Sequence, residues 1–297
     1  MTQVLCIGIS VVDFVFQVDA LPRGEGKFAT YSAEIVGGGC AANAAVAIAR
    51  LGGAPMLATR IASDPIGDMI LADLEREGVN CTLTQPAQDG RSSYSSVYVD
   101  ATGERQIMNY RGAGLSDQVD QIAAVRDTHA VLADTRWVAG GRAGLRLAKE
   151  RGLPGVLDGE APVDAELVGL ASHAVFSQNG LSKFSGQSDV ETGLRRVAER
   201  TDAWVGATTG QGGTYWLEGD RLCHSPAFEV PVVDTLGAGD VWHGAFALAL
   251  GERKCERDAV HFASAVAALK CRAFGGRKAT PNLDDTLQFL SQQKVEA

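Results

Sequence analysis

Residues 228–250 read FEVPVVDTLGAGDVWHGAFALAL. An extended segment, residues 228–233, runs into Asp234-Thr235-Leu236-Gly237-Ala238-Gly239-Asp240, and an apolar helix is predicted over residues 238–250. The two glycines let the backbone turn sharply and approach a ligand with no Cβ in the way. The first amides of a helix have no intrahelical acceptor, and the helix dipole favours negative charge beside them. The stretch is therefore an anion site. Asp240 falls in the first helical turn. An acid there complements the dipole, but that reading explains neither glycine. A carboxylate beside an anion hole can instead take a proton while the hole stabilises phosphoryl charge in transfer.

Outward from this stretch, short apolar runs alternate with helical patterns. Strands are predicted at residues 4–9, 55–61, 130–133, 155–157, 174–176 and 204–207. Helices are predicted at residues 41–51, 66–77, 143–151, 238–250, 257–272 and 283–292. Strands alternating with helices imply an α/β fold with a mostly parallel central β-sheet flanked by helices on both faces. Two segments break the rhythm. Residues 14–35 and 93–110 alternate apolar with polar side chains and carry turn signals such as Ala101-Thr102-Gly103, so they read as exposed antiparallel ribbons. Neither can bury a core alone. They can pair into a small β-sheet lid, or pack against a second subunit. No repeat, low-complexity tract or Pro-rich linker divides the chain. A single domain over residues 1–297, with the lid segments inserted in it, is the expected organisation.

Composition excludes several classes. Glycine is abundant, 35 residues, but without a G-X-Y period, so the chain is not collagen-like. The 45% apolar content is too high for intrinsic disorder. A net charge of −9 with no Lys/Arg run argues against nucleic acid as a partner. The six cysteines, at 6, 40, 81, 223, 255 and 271, include no C-x-x-C pair, which suits a reducing compartment. No apolar run reaches 18 residues, so no membrane span is expected. The apolar N-terminal stretch has no basic lead and is interrupted by Asp13, so it reads as a strand and not a signal peptide. The expected location is cytoplasmic.

Competing motifs fit less well. The sequence has no G-x-x-x-x-G-K-[ST], G-x-S-x-G or H-E-x-x-H. Gly37-Gly38-Gly39-Cys40-Ala41-Ala42 satisfies G-x-G-x-x-A, but it follows a ribbon and not the first core strand, where a dinucleotide fingerprint belongs. Those three glycines precede a helix whose first turn carries Asn43, able to give a donor and an acceptor to a hydroxyl. Asp13 follows the end of the first strand, and ligands of parallel α/β sheets gather at such ends. Its carboxylate suits two sugar hydroxyls. Gly210-Gln211-Gly212-Gly213 is either a hairpin turn or a place where backbone passes a nucleotide phosphate. His243, one turn after Asp240, could perturb the base but reads rather as a packed or solvated histidine, and Trp242 and Phe246 as core.

Together these segments resemble the PfkB, or ribokinase-like, carbohydrate kinase family. The resemblance rests on Gly37-Gly38-Gly39-Cys40-Ala41-Ala42-Asn43 and on residues 234–240, with Asp13 and Thr208-Thr209-Gly210-Gln211-Gly212-Gly213 in the expected order. It implies a ribokinase-like sandwich with a β lid that often dimerises, and ATP-dependent phosphorylation of a sugar hydroxyl. It also implies that Asp240 is the catalytic base and that the amides of Gly237, Ala238, Gly239 and Asp240 form the anion hole. Asp13, Gly38, Gly39 and Asn43 then hold the sugar, and Thr208, Gly210 and Gly213 line the nucleotide site. Gly275 and Gly276 fall where the family closes over the adenine and, in some members, binds a monovalent cation such as K+. The family's N-x-x-E motif, which helps place Mg2+, stands here as Ser177-Gln178-Asn179-Gly180. Asp234 is a remaining carboxylate within reach of the metal.

Within the family, four further stretches are similar to the bacterial kinases of sulfofructose. They are Gly8-Ile9-Ser10-Val11-Val12-Asp13, Ile107-Met108-Asn109-Tyr110, Leu132-Ala133-Asp134-Thr135-Arg136-Trp137 and Gly275-Gly276-Arg277. An acidic protein that binds an anionic substrate needs local positive groups. Lys27 and Asn109 lie in the ribbons and Arg136 just past a strand, so they are expected to converge on a distal anion, with Arg111 a further candidate. The expected substrate is 6-deoxy-6-sulfofructose, phosphorylated at C1. Alternatives are a fructokinase, ribokinase or nucleoside kinase, a kinase of a sugar phosphate, or a non-catalytic sugar- or nucleotide-binding protein.

Overall fold

The computed structural model describes residues 1–102 and 104–293. Gly103, part of the expected turn, lies outside the described residues. The chain opens with β1 (Gln3–Gly8), crosses into a small sheet through β2 (Val11–Gln17) and β3 (Ser32–Gly38), and returns as α1 (Cys40–Arg50) and β4 (Ala54–Thr59). Helix α2 (Pro65–Arg76) leads to a second hairpin, β5 (Tyr94–Val99) and β6 (Arg105–Tyr110). A short α3 (Asp120–Ala123) precedes three βα units. These are β7 (Ala130–Ala133) with α4 (Val138–Glu150), β8 (Gly155–Gly159) with α5 (Ala165–Leu170), and β9 (His173–Ser177) with α6 (Gln178–Ser185) and α7 (Val190–Ala198). Strand β10 (Trp204–Thr208) and the hairpin β11 (Thr214–Glu218) and β12 (Arg221–Ser225) complete the large sheet. Helices α8 (Ala238–Gly251), α9 (Glu256–Lys270) and α10 (Leu283–Gln293) follow.

The large sheet has the order β12-β11-β10-β9-β8-β7-β1-β4. From β10 to β4 every pairing is parallel, and β11 and β12 add an antiparallel edge. The chain leaves β1 toward β4 on one side and resumes at β7 on the other, so the strand order reverses between β1 and β7. Ligands of open α/β sheets bind outside the carboxyl ends of the strands at such a reversal.

Side chains alternate across the central strands and feed two cores. One face carries Val4, Cys6, Leu132, Val156 and Val175 against α1, α8 and α9. The other carries Leu5, Ile7, Val131, Leu157 and Phe176 against α4 to α7. Helix α8 is buried on all sides from Val241 to Gly251, as expected of a helix apolar all round. Its Trp242 and Phe246 stack 4.9 Å apart and continue into Trp204 and Trp216, so both are core residues, each worth about 1.5–3 kcal/mol of burial. Gly244 lets α8 press against the backbone of Ala44 in α1, where a Cβ has no room. The alanines of α1 serve the same close approach.

The two ribbons meet in one four-stranded sheet, β3-β2-β5-β6. Each hairpin is antiparallel, but β2 and β5 pair in parallel, with Asp13 opposite Ser95. The two ribbons pair into one small sheet, as one of the two expected arrangements has it, and residues 18–31 form a long loop inside the first. Other details of the fold differ from the expected elements or add to them. Residues 228–233 lie outside both sheets, which the reading of them as an extended segment allows. Helix α4 starts at Val138, not 143, since Gly140 and Gly141 pack as helical residues, the first against the Trp137 ring. Helices α3, α5, α6 and α7 and strand β12 lie outside the elements expected from the sequence. No helix among the described residues is long and apolar enough to cross a membrane.

Candidate active site

The carboxyl ends of β1, β7, β8, β9 and β10, the first turns of α1 and α8, and the inner face of the small sheet meet in one place. Gly237 caps α8 with φ +76°, a left-handed conformation that favours glycine. Gly239 needs no such conformation. A Cβ at Gly239 would meet nothing within 4 Å, so its backbone borders open space. The first glycine thus serves the turn, and the second keeps the approach to the helix amides clear.

Asp240 sits in that first turn, and its Oδ2 accepts a 2.7 Å hydrogen bond from Nδ2 of Asn43. Asn43 is buried in the first turn of α1, and its Oδ1 has no partner. The expected sugar-binding Asn43 is therefore directly joined to the expected base. Gly39 enters α1 at φ +96°, close against the Ile9 carbonyl, and Gly38 lacks the Cβ that would overlap the Asp13 carboxylate. Gly37 lies flat on the guanidinium of Arg277. Burial raises the Asp13 carboxyl above its usual value, and Asp240 adds to this, while Ser95 and Arg277 pull it back.

A cavity of about 190 Å³ lies between the end of β1, Gly39 and the small sheet. Asp13 and Gly39 line it on one side, and Asn109, Arg111 and Arg136 also face it. Asn109 is held by the Ser95 hydroxyl at 2.7 Å. Nη1 of Arg136 donates to the Ala161 carbonyl at 2.8 Å. Lys27 does not join them. It lies exposed on the loop between β2 and β3, away from the cavity lining.

Thr208 ends β10, and the loop after it turns through Gly210 at φ +61°, with open space at its Cβ position. Gly213 is tight instead, pressed against the Ser225 carbonyl. Gly275 and Gly276, both with positive φ, point their amides at Oδ2 of Asp234, at 3.2 and 3.0 Å. Asp234 also accepts the Leu236 amide at 2.9 Å and pairs with Arg105 at 2.8 Å and Lys270 at 3.4 Å. These donors hold its carboxyl below the usual range against the opposing effect of burial. With its oxygens so occupied, Asp234 organises loops and is not a free metal ligand.

Two acids that sequence reading missed belong to the same site. Asp134 is buried past β7 and accepts amides from Ile9 at 2.8 Å, Ala41 at 3.2 Å and Arg136 at 2.8 Å, tying β1, α1 and β7 together. Gly8 makes room for it. Asp158, in β8, has its carboxyl pushed up to about 7, chiefly by burial, with Asp240 adding and His243 opposing. The signal for both was present: a lone acid at the carboxyl end of a short apolar strand. His243 is packed and not solvated, its ring nitrogens 2.8 Å from the Gly239 carbonyl and 3.1 Å from that of Val175.

A family model described as pfkB family carbohydrate kinase matches residues 1–283. The chain belongs to the pfkB family of carbohydrate kinases. It is 25% identical to the ribokinase of Bacillus subtilis, covering 98% of this chain and 100% of that protein. It is 26% identical to the ketohexokinase of Mus musculus, covering 91% and 96%. A crystal structure of a candidate ribokinase from Agrobacterium tumefaciens superposes with a TM-score of 0.91 at 34% identity, covering 100% of this chain and 99% of that one. The fold is thus ribokinase-like and the protein is an ATP-dependent carbohydrate kinase.

This pfkB kinase has its own arrangement where N-x-x-E is expected. Ser177 caps α6 by accepting the Gly180 amide at 2.9 Å, and any side chain at Gly180 would run into the Gly159 carbonyl. A glutamate has no space there. Cys40, Asp158 and Asp240 instead bring one ligand atom each within 4.8 Å of one another. The carboxylates suit a hard divalent ion, and the thiol, raised well above its usual value by burial, does not. The place expected for a monovalent cation does not fit one. The 275 and 276 amides present N–H groups, and the Lys270 ammonium already lies on the Asp234 oxygens, 2.7 Å from its carbonyl.

Proposed function

We propose that this kinase phosphorylates a primary hydroxyl of a ketose carrying an anionic group at its far end, with 6-deoxy-6-sulfofructose, phosphorylated at C1, as the best candidate. The observation that carries this reading is the cavity, with the Asp13 carboxylate on one side and Asn109, Arg111 and Arg136 facing the same space. Asp13 accepts bonds from the sugar hydroxyls, and Gly38 and Gly39 let the sugar approach the backbone. Asp240, oriented by Asn43, takes the proton of the attacking hydroxyl. The amides of Gly237, Ala238, Gly239 and Asp240 receive the phosphoryl charge. The nucleotide lies along Thr208, Gly210 and Gly213 and near Gly275 and Gly276. Mg2+ that arrives with ATP supplies charge neutralisation, and Asp158 beside Asp240 is the carboxylate suited to its water shell.

A neutral sugar, as the names of the ribokinase relatives suggest, leaves Arg111 and Arg136 without a ligand. A sugar phosphate uses the same cations. The exposed Tyr31, Ile35, Ile107 and Met108 on the small sheet and its loop support a homodimer through the lid. We place the protein in the cytoplasm, in line with its scattered free cysteines. The test is ATP-dependent turnover on a panel of sulfofructose, fructose, fructose 6-phosphate, tagatose 6-phosphate and ribose. Preference for fructose or ribose overturns the anionic reading.

A further inference from the structure

Lys270 ends α9 with its side chain fully buried. Its ammonium donates to the Asp234 carbonyl at 2.7 Å and lies 3.4 Å from the Asp234 carboxylate. The same carboxylate holds the amides of Leu236, Gly275 and Gly276. One buried cation thus pins two loops at once: the residues leading into the anion-hole glycines, and the glycine pair that follows α9.

Burying an ammonium is expensive, and an apolar residue of similar volume usually closes such a site at lower cost. Burial does pull the Lys270 pKa down, and the neighbouring Asp234 opposes that pull. The charge faces the Asp234 carbonyl and carboxylate, oxygens suited to a monovalent cation, beside the glycine pair where the family resemblance implies such an ion in some members. Asp234 offers a carbonyl and a carboxylate, and both are already turned to Lys270. The amides of Gly275 and Gly276 are donors and cannot ligate a metal.

We propose that Lys270 is a built-in monovalent cation: its ammonium holds the 234–237 loop in place of a bound ion, so this kinase works without K+. Lys270 is a positioning residue, since it touches neither sugar nor nucleotide and acts through Asp234. The inference rests on the kinase activity and not on which sugar is phosphorylated.

The test compares the full chain in K+ and in tetramethylammonium at equal ionic strength. Three quantities are read: the thermal midpoint, ATP affinity by calorimetry, and turnover of whichever panel sugar is a substrate. Wild type is expected to give the same three values in both salts. Lys270→Ala, which leaves space for an ion, should lose turnover on the order of 10²-fold in tetramethylammonium. It should regain turnover and thermal midpoint in K+. Lys270→Met, which fills the space, should show the loss and no recovery. Activation or stabilisation of the wild type by K+ overturns the proposal. So does a Lys270→Ala variant as active as wild type in tetramethylammonium, or one whose losses K+ does not touch. If Lys270→Ala does not fold in either salt, the wild-type comparison decides. If no panel sugar is turned over, the substrate reading fails, while the midpoint and ATP affinity still decide this one.

Discussion

Nδ2 of Asn43 donates to Oδ2 of Asp240 at 2.7 Å, joining the first turns of two helices 197 residues apart in sequence. The bond holds one carboxylate oxygen of Asp240 in place.

Asp240→Asn should lower kcat by about 10²–10⁴-fold, the range for losing a general base, with little change in melting temperature. Asn43→Ala should lower kcat less, because the base is present but unaimed. Steady-state kinetics beside thermal melts checks both. An Asp240→Asn enzyme near wild-type rate would remove Asp240 from the mechanism.

The two glycines of the proposed anion hole should fail in different ways. Gly237→Ala forces an L side chain into φ +76° and should cost about 1–2 kcal/mol of stability. Gly239→Ala places its methyl in open space and should leave the melting temperature nearly unchanged while blocking the phosphoryl group. Chemical denaturation and a turnover assay separate the two. Equal stability loss in both variants would contradict the division of labour.

Asp158 sets a pH window. Its carboxyl is pushed from 3.8 up to about 7, by burial first, with Asp240, Asp134 and Glu160 adding and His243 opposing. Between these values the folded protein binds a proton that the unfolded chain has lost. Stability therefore falls as pH rises through the window, with the cost absent below 3.8 and complete above about 7. Asp158→Asn removes the cost. Its melting temperature relative to wild type should climb across the window and then level, and a flat difference would refute the assignment.

Arg136→Ala should raise KM for the anionic sugar by roughly 10–100-fold, the worth of a hydrogen bond to a charged group, and barely affect a neutral one. An equal loss on both would make Arg136 a structural residue, through its bond to Ala161.

Gly180→Glu, made with Ser177→Asn, restores the letters of N-x-x-E and should not restore its function. The new side chain meets the Gly159 carbonyl, and overpacking of this kind typically costs about 1–3 kcal/mol. A raised rate with an undiminished melting temperature would show that the pocket tolerates the motif.

Much of this was readable in the chain. The alternation of short apolar runs with helices gave the parallel sheet, because both signals come from local burial. Of the glycines singled out, Gly39 lines the cavity, Gly239 borders open space, and Gly38 makes room for the Asp13 carboxylate. What escaped was non-local. Asp134 and Asp158 look like ordinary strand-end acids until β1, β7 and β8 lie side by side. Asp234 looked like a metal ligand because its partners, Arg105 and Lys270, are far away in sequence. Lys27 has the right charge and the right segment, but the loop that carries it does not turn toward the cavity. The parallel pairing of β2 with β5 is set by how each strand enters the sheet, which no residue pattern records.

Arg105 comes from the outermost strand of the small sheet, yet it reaches Asp234, whose other bonds hold the loops beside the phosphate cradle. Lifting that sheet must break the pair and strand a buried carboxylate with one counter-charge fewer. If sugar favours the lowered sheet, it tightens the nucleotide side, and by linkage the nucleotide tightens the sugar by the same factor. Sugar and ATP are expected to bind as mutual effectors, each measurable through the affinity of the other.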